Sequence, residues 1–357
     1  MSNYQADLPL PNTDQQICAE RLCDRPASLV ADLSWGSARF CSHKHRDEAA
    51  SFKLQELARV DRLLNRIFLL EARWLHIFRT YAAARSSTGT LVLFQREFDK
   101  PLKEQNIFPD MVPRRLEEVG YCFNSCVHVL EILAGVLAFF AEGSFEVEEV
   151  DILHVKSNSS VIVIAHNAEE PEVKSVAERH TMLKVSSWLG DSYLDPTAPQ
   201  YGRPQGPQRC DEYLQKYADM RQQHGPWSYG FGTRYAAMQR RMGTSTPGSK
   251  EWYYRVQSQI AMRTINNVVH RVVAEAGGPS VLREASETVW RITEDLALDG
   301  VDRKLREFRD DMDRIWHGTR SALWIDFYED ALYRSQGDGD VAIMTALNRM
   351  SDQNIDS

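Results

Sequence analysis

"YCFNSCVHVLEILAGVLAFFAEG", residues 121–143, is the most apolar stretch of the chain, and it carries His128 and Glu131 one helical turn apart. The uninterrupted apolar run after Glu131 is ten residues, 132–141. Crossing hydrocarbon takes about 20 residues, so the stretch reads as a buried helix and not as a membrane span. On a helical wheel the apolar side chains cover most of the circumference. The exceptions, Asn124, His128, Glu131, Gly135, Ala138 and Glu142, recur at 4-3-4-3-4 spacing and form one narrow seam. Gly135 and Ala138 in that seam would let a neighbour approach closely. The seam has two readings. His128 and Glu131 pair at i,i+3 along a thin solvent-facing edge, or the seam lines a cleft in which Glu131 orients His128 as a general base.

The helix implies a sizeable core, and the totals allow one. The chain has 357 residues, 43% hydrophobic and 26% charged, enough for one large domain or two. The net charge of -8 counts against nucleic acid and anionic membrane as partners. Six cysteines are spread along the chain with no C-x-x-C pair, which speaks for reduced thiols in the cytosol rather than a disulfide framework or a zinc ribbon. The first residues, "MSNYQADLPLPNTDQQ", carry no basic start and no apolar run, so a cytoplasmic protein is expected.

The expected architecture is mainly α (α+β): two helical lobes around a small antiparallel β-hairpin or sheet. Residues 1–50 read as an irregular arm. Residues 51–190 form an N-terminal helical lobe, with a long helix over 52–85, a hairpin at about 145–167 ("FEVEEVDILHVKSNSSVIVIAHN") and a helix from Pro171 capped at Gly190. Glu71 falls within the apolar stripe of the first helix and needs a partner, for which Arg66 and Arg73 are near in sequence. Residues 191–250 are rich in Gly, Pro and aromatics, with short helices at 211–223 and 233–242. Residues 251–357 form a C-terminal helical lobe, with a helix from Pro279 to about Gly300, a bend near Gly318, and a last helix capped by Asp340.

No dinucleotide fingerprint, phosphate loop or nucleophile elbow is present. The C-x-H-x-H string at Cys41, His43 and His45 lacks a fourth ligand nearby and reads as solvated loop, so no metal site is assigned. His270 and His317 sit between apolar residues and read as core histidines. Haem would need a second signature. The segment 221–241 interleaves arginines with Trp227, Tyr229, Phe231 and Tyr235.

These features carry three functional expectations. The first is a cytosolic enzyme acting on a small organic molecule, with His128 and Glu131 as the acid–base pair and Trp227, Tyr229, Arg234 and Tyr235 holding substrate in a cleft between lobes. The second is an interaction or assembly protein whose aromatic loops bind a partner or a sister subunit in a homo-oligomer. The third is an Arg/aromatic nucleic-acid binder, which the acidic total disfavours. The sequence identifies no reaction, substrate or cofactor.

Overall fold

The computed structural model describes residues 29–30, 39–75, 78–85, 90–97, 114–123, 125–156, 161–166, 171–175, 179–219, 225–316 and 321–353. The chain is mainly α with small sheets. In order, its elements are β1 (Leu29–Val30), β2 (Arg39–Phe40), α1 (His43–Leu75), β3 (Phe78–Arg85), β4 (Leu91–Glu97), α2 (Arg114–Cys122), α3 (Cys126–Ala141), β5 (Glu146–Ile152), β6 (Val161–His166), β7 (Pro171–Ser175), β8 (His180–Ser187) and β9 (Gly190–Leu194). A 3-10 turn at Ala198–Tyr201 follows, then β10 (Gln208–Arg209), α4 (Cys210–Tyr217), β11 (Trp227–Gly230), α5 (Thr233–Thr244), α6 (Lys250–Glu275), α7 (Pro279–Glu284), α8 (Glu287–Trp316), α9 (Ser321–Ser335) and α10 (Asp338–Gln353).

The chain forms two compact units. Residues 1–57 with 186–190 make the smaller; residues 58–185 with 191–357 make the larger. In the smaller unit β1 and β2 pair antiparallel, and Phe40 meets Trp188 with ring centroids 5.1 Å apart. Of the irregular arm expected over 1–50, only 29–30 and 39–50 are described, and from His43 onward that part is already helix.

In the larger unit α6 is the hub, packed against α3, α5, α7, α8, α9 and α10. The apolar stretch within 121–143 becomes α3, buried nearly all round, as a helix without a wide polar face must be. Gly135 is where it closes on its neighbours: a Cβ there would stand 2.7 Å from Ile343 of α10 and 3.1 Å from the Asn266 amide of α6. Gly300 does the same for α8, where a Cβ would fall 2.7 Å from Val268. That is why α8 runs through Gly300 and does not end there as expected: the glycine admits a neighbouring helix instead of terminating its own. Gly318 lies outside the described residues.

Polar groups join the helices at fixed points. Arg59, Arg62 and Arg66 of α1 reach Glu287, Glu294 and Asp295 of α8, and the Trp74 indole donates to Asp302 at 2.8 Å. Asp340, expected to cap the last helix, lies inside it. The Asp340 amide donates to Asn267 of α6 at 2.8 Å, and the Asp340 carboxylate accepts from Asn266 at 2.9 Å. A side chain of another helix thus does the capping.

Two sheets complete the unit. One has five strands in the order β10-β9-β8-β5-β11; the other has four in the order β3-β4-β6-β7. Three expectations change here. The 52–85 helix stops at Leu75, and 78–85 pairs as strand β3 with β4, so tertiary pairing overrides the helix propensity of its alanines. The two arms of the expected hairpin are both strands but do not pair. β5 joins the five-stranded sheet. β6, apolar from Val161 to Ala165, takes a central place in the other, parallel to β4 and antiparallel to β7, as a run apolar on both faces favours. The helix expected over 171–190 is instead β7, β8 and the start of β9, with Gly190 at φ +98 beginning β9 after the turn from β8 rather than capping a helix. Among the described residues no helix is long and apolar enough to cross a membrane.

The close approach at Gly135 sets an expected outcome. Gly135→Ala should lower stability in urea unfolding by about 1–2 kcal/mol, because overpacking outweighs the gain in helix propensity. Gly243→Ala, where a Cβ would meet nothing within 4 Å, should be neutral or stabilising by up to about 1 kcal/mol. Equal effects at the two positions would contradict this packing.

Candidate functional site

The burial of α3 fixes where its first residue goes. That residue is Cys126, 8% exposed, at the amide end of the helix. β8 begins at His180 and the turn after β9 carries Asp195, and both are buried at 0% and 2% exposure. The His180 Nε2–H donates to Asp195 Oδ2 at 2.8 Å. The other ring nitrogen, Nδ1, is buried and makes no well-formed hydrogen bond. The Cys126 thiol lies within electrostatic reach of the His180 ring. Thiol, imidazole and carboxylate therefore stand in a row. Among the described residues no group of three His, Cys, Asp or Glu side chains converges on one point to grip a metal ion.

Burial and mutual charge pull against each other in this row. Burial pushes the Cys126 thiol up, but His180 outweighs it and leaves the thiol below its ordinary range. Burial pushes the His180 imidazole down, but Asp195 and then Cys126 carry it up to about 9. Asp195 is held below the usual carboxylate range against burial by His180, Arg203 and Thr197. The helix amide end adds its own preference for a negative sulfur.

Asp195 is itself locked. It accepts from the Thr197 amide at 3.1 Å, the Thr197 hydroxyl at 3.2 Å and the Tyr213 hydroxyl at 3.2 Å. Arg203 donates to the Tyr213 hydroxyl and to Lys156 O, enclosed by the rings of Tyr201, Tyr213 and Tyr217 at 4.3–5.1 Å. Tyr201 lies against His180 with centroids 4.5 Å apart. This support orients the ring and excludes water.

A second polar group adjoins the row. Asp151 of β5 accepts from Arg179, from the Thr181 hydroxyl at 2.6 Å and from Arg234 at 2.7 Å. Glu149 accepts from the backbone amides of Gly232 and Arg234 at 2.9 and 3.0 Å, capping α5, and burial pushes its carboxyl up to about 7.

The side chains singled out from sequence are placed as follows. His128 bonds Glu71 through Nε2 at 3.2 Å and the Tyr254 hydroxyl through Nδ1 at 3.0 Å, so both ring nitrogens are engaged. Its hydrogen-bonded acid is Glu71 of α1, not Glu131, and Glu71 finds a histidine, not the arginine expected. Glu131 instead meets Arg241 at 3.6 Å. Asn124, at the head of the seam, lies outside the described residues. Trp227 is 46% exposed on the edge strand β11, opposite Asp151. Tyr229 lies beneath the Arg234 guanidinium at 5.2 Å. Tyr235 feels Asp340 and Arg263 instead and is not part of this group. His317 is outside the described residues, and His270 packs against Phe139 at 5.5 Å.

Cys126, His180 and Asp195 were not singled out. The signal was a cysteine opening the most buried helix, with a histidine and an aspartate in later segments. Reading 171–190 as helix hid it, because His180 and Asp195 come together only across strands. Comparison with protein-family models, curated protein sequences and solved structures finds no match for this chain.

Asp61 of α1 lies within electrostatic reach of Asp195, and burial first, then Asp195, pushes its carboxyl up to about 7. Among the described residues its one hydrogen-bonding side chain is Asn65, at 3.0 Å, and Oδ1 has no partner. Between pH 3.8 and 7 the unfolded chain has lost this proton while the folded chain keeps it, so stability falls as pH rises through that window. Asp61→Asn should therefore be more stable than the parent at pH 8, by about 2–4 kcal/mol, with the difference vanishing below pH 4. Urea unfolding at the two pH values measures it; a variant less stable at pH 8 would contradict the account.

Proposed function

We propose that this chain is a cysteine-dependent acyl-transfer enzyme acting on an amide or ester. One constellation carries the reading: a buried cysteine at a helix amide end, within electrostatic reach of a buried imidazole whose Nε2 is held by a locked carboxylate. That constellation belongs to nucleophilic acyl transfer, where it is recognised by roles and geometry rather than by chain order.

The roles follow from the chemistry. The Cys126 thiolate attacks the substrate carbonyl carbon, forming a C–S bond and a tetrahedral oxyanion. First-turn amides of α3 point toward the sulfur end and favour that negative charge. The His180 imidazolium gives its proton to the leaving nitrogen or oxygen as that bond to carbon breaks, and a thioester remains. Water or an amine then attacks the thioester, His180 takes its proton, and the thiolate leaves. Asp195 keeps the ring oriented and supports its positive charge throughout, and Arg203 with its tyrosines holds Asp195. No cofactor is required by these steps.

The enzyme reading with His128 and Glu131 as the acid–base pair has less support, because His128 has no ring nitrogen left for a substrate. Trp227 and Tyr229 border the Asp151 group and keep their proposed role in holding substrate.

Exposure to p-nitrophenyl acetate should place an acetyl group on Cys126, detected by peptide mass spectrometry. Cys126→Ala should abolish that adduct, and His180→Gln should slow its formation by about 10²-fold or more. A folded His128→Ala variant should still acylate; loss of acylation there with retention in His180→Gln would transfer the chemistry to the other histidine.

A further inference from the structure

Resting on that reading, the surroundings of the thiol also speak to what enters. Arg179, His180 and Thr181 follow one another past Cys126. His180 turns to the sulfur and Asp195, while Arg179 and Thr181 both turn to Asp151. Asp151 also receives Arg234. Two guanidinium groups thus converge on one buried carboxylate. Arg234 is mostly covered and lies against the Tyr229 ring and near Glu149 at 3.9 Å. Arg179 is different. Its side chain is 49% exposed, it bonds Asp151 through Nη2, and it lies within electrostatic range of both Cys126 and Tyr229. A guanidinium has five N–H donors in a flat fork, so an edge of Arg179 remains open to solvent beside the nucleophile. Among the described residues the acid it bonds, Asp151, is fully buried and also held by Thr181 and Arg234. The half-exposed charged side chain that the described residues place within electrostatic range of the thiol is thus a cation, in a chain whose total is -8.

We propose that the site selects an anionic acyl substrate: an amide or ester with a carboxylate close to the carbonyl attacked, gripped by the open edge of Arg179. Asp151 acts as the positioning residue that holds the guanidinium within reach of the thiol. The exposed edge of β11, with Trp227 and Tyr229, supplies the apolar wall against which the rest of the substrate lies.

Two small electrophiles that differ only in charge test this. Iodoacetate carries the carboxylate and iodoacetamide its neutral amide. Rates of modification at Cys126 are followed by mass spectrometry of its peptide, in the wild type, Arg179→Gln and Arg179→Lys. The iodoacetate-to-iodoacetamide rate ratio at Cys126 should fall about fivefold to tenfold in Arg179→Gln, the size expected for one charge at close range near a protein surface. It should stay near the wild-type value in Arg179→Lys, and the iodoacetamide rate should change little in either. In the wild type, raising the salt concentration should slow iodoacetate and not iodoacetamide at Cys126. A ratio unchanged in Arg179→Gln, or a wild-type ratio indifferent to salt, overturns the anionic preference and leaves the nucleophile intact. If Cys126 reacts no faster than the other cysteines with either reagent, the acyl-transfer reading itself fails.

Discussion

Everything in the larger unit depends on enclosing one helix. α3 has no polar face wide enough to meet water, so helices must surround it, and α6 and α10 close on it at Gly135. Enclosure of the rod decides the position of its ends. Its amide end, with Cys126 as the first helical residue, is thereby delivered to the start of β8 and the turn after β9. A cysteine on a surface helix would be an ordinary thiol. The same cysteine at a buried amide end, against a histidine, is a candidate nucleophile.

The buried row is costly by itself. Burial disfavours the charged form of each of the three groups. What offsets this is mutual charge and full hydrogen bonding at one end: Asp195 has His180, two groups of Thr197 and Tyr213, with Arg203 caged behind them. The other end is left less satisfied, since His180 Nδ1 makes no well-formed bond. A rigid acid end and a loosely held thiol end suit a site whose free partner is a substrate. The polar pair on the seam of α3 is built otherwise. His128 is tied at both nitrogens by Glu71 and Tyr254, which links α3 to α1 and α6 and leaves nothing over for chemistry.

How much of this was legible in the residues depends on the range of the interaction. The buried helix was readable because its apolar run is local and its spacing is set by helical geometry. Gly135 was readable as a place of close approach for the same reason. The strands over 171–194 were not. Their polar and apolar residues mix, and what makes them strands is pairing with partners elsewhere in the chain. The site fell in that gap. His180 and Asp195 are separated from Cys126 by more than 50 positions, and no periodicity joins them. His128 and Glu131 drew attention because they are neighbours in sequence, yet each found its partner on another helix. Gly300 gave a third lesson: a glycine within a helical pattern marked a crossing with Val268, not an end.

The central claim is that Cys126 and His180 exist as a thiolate–imidazolium pair. Ultraviolet titration of the thiolate, taken as the difference between the wild type and Cys126→Ser, tests it most directly. The account gives a Cys126 signal that appears below the ordinary thiol range and moves upward in His180→Gln. A signal appearing above the ordinary range in the wild type, or one unmoved by the histidine substitution, would contradict it.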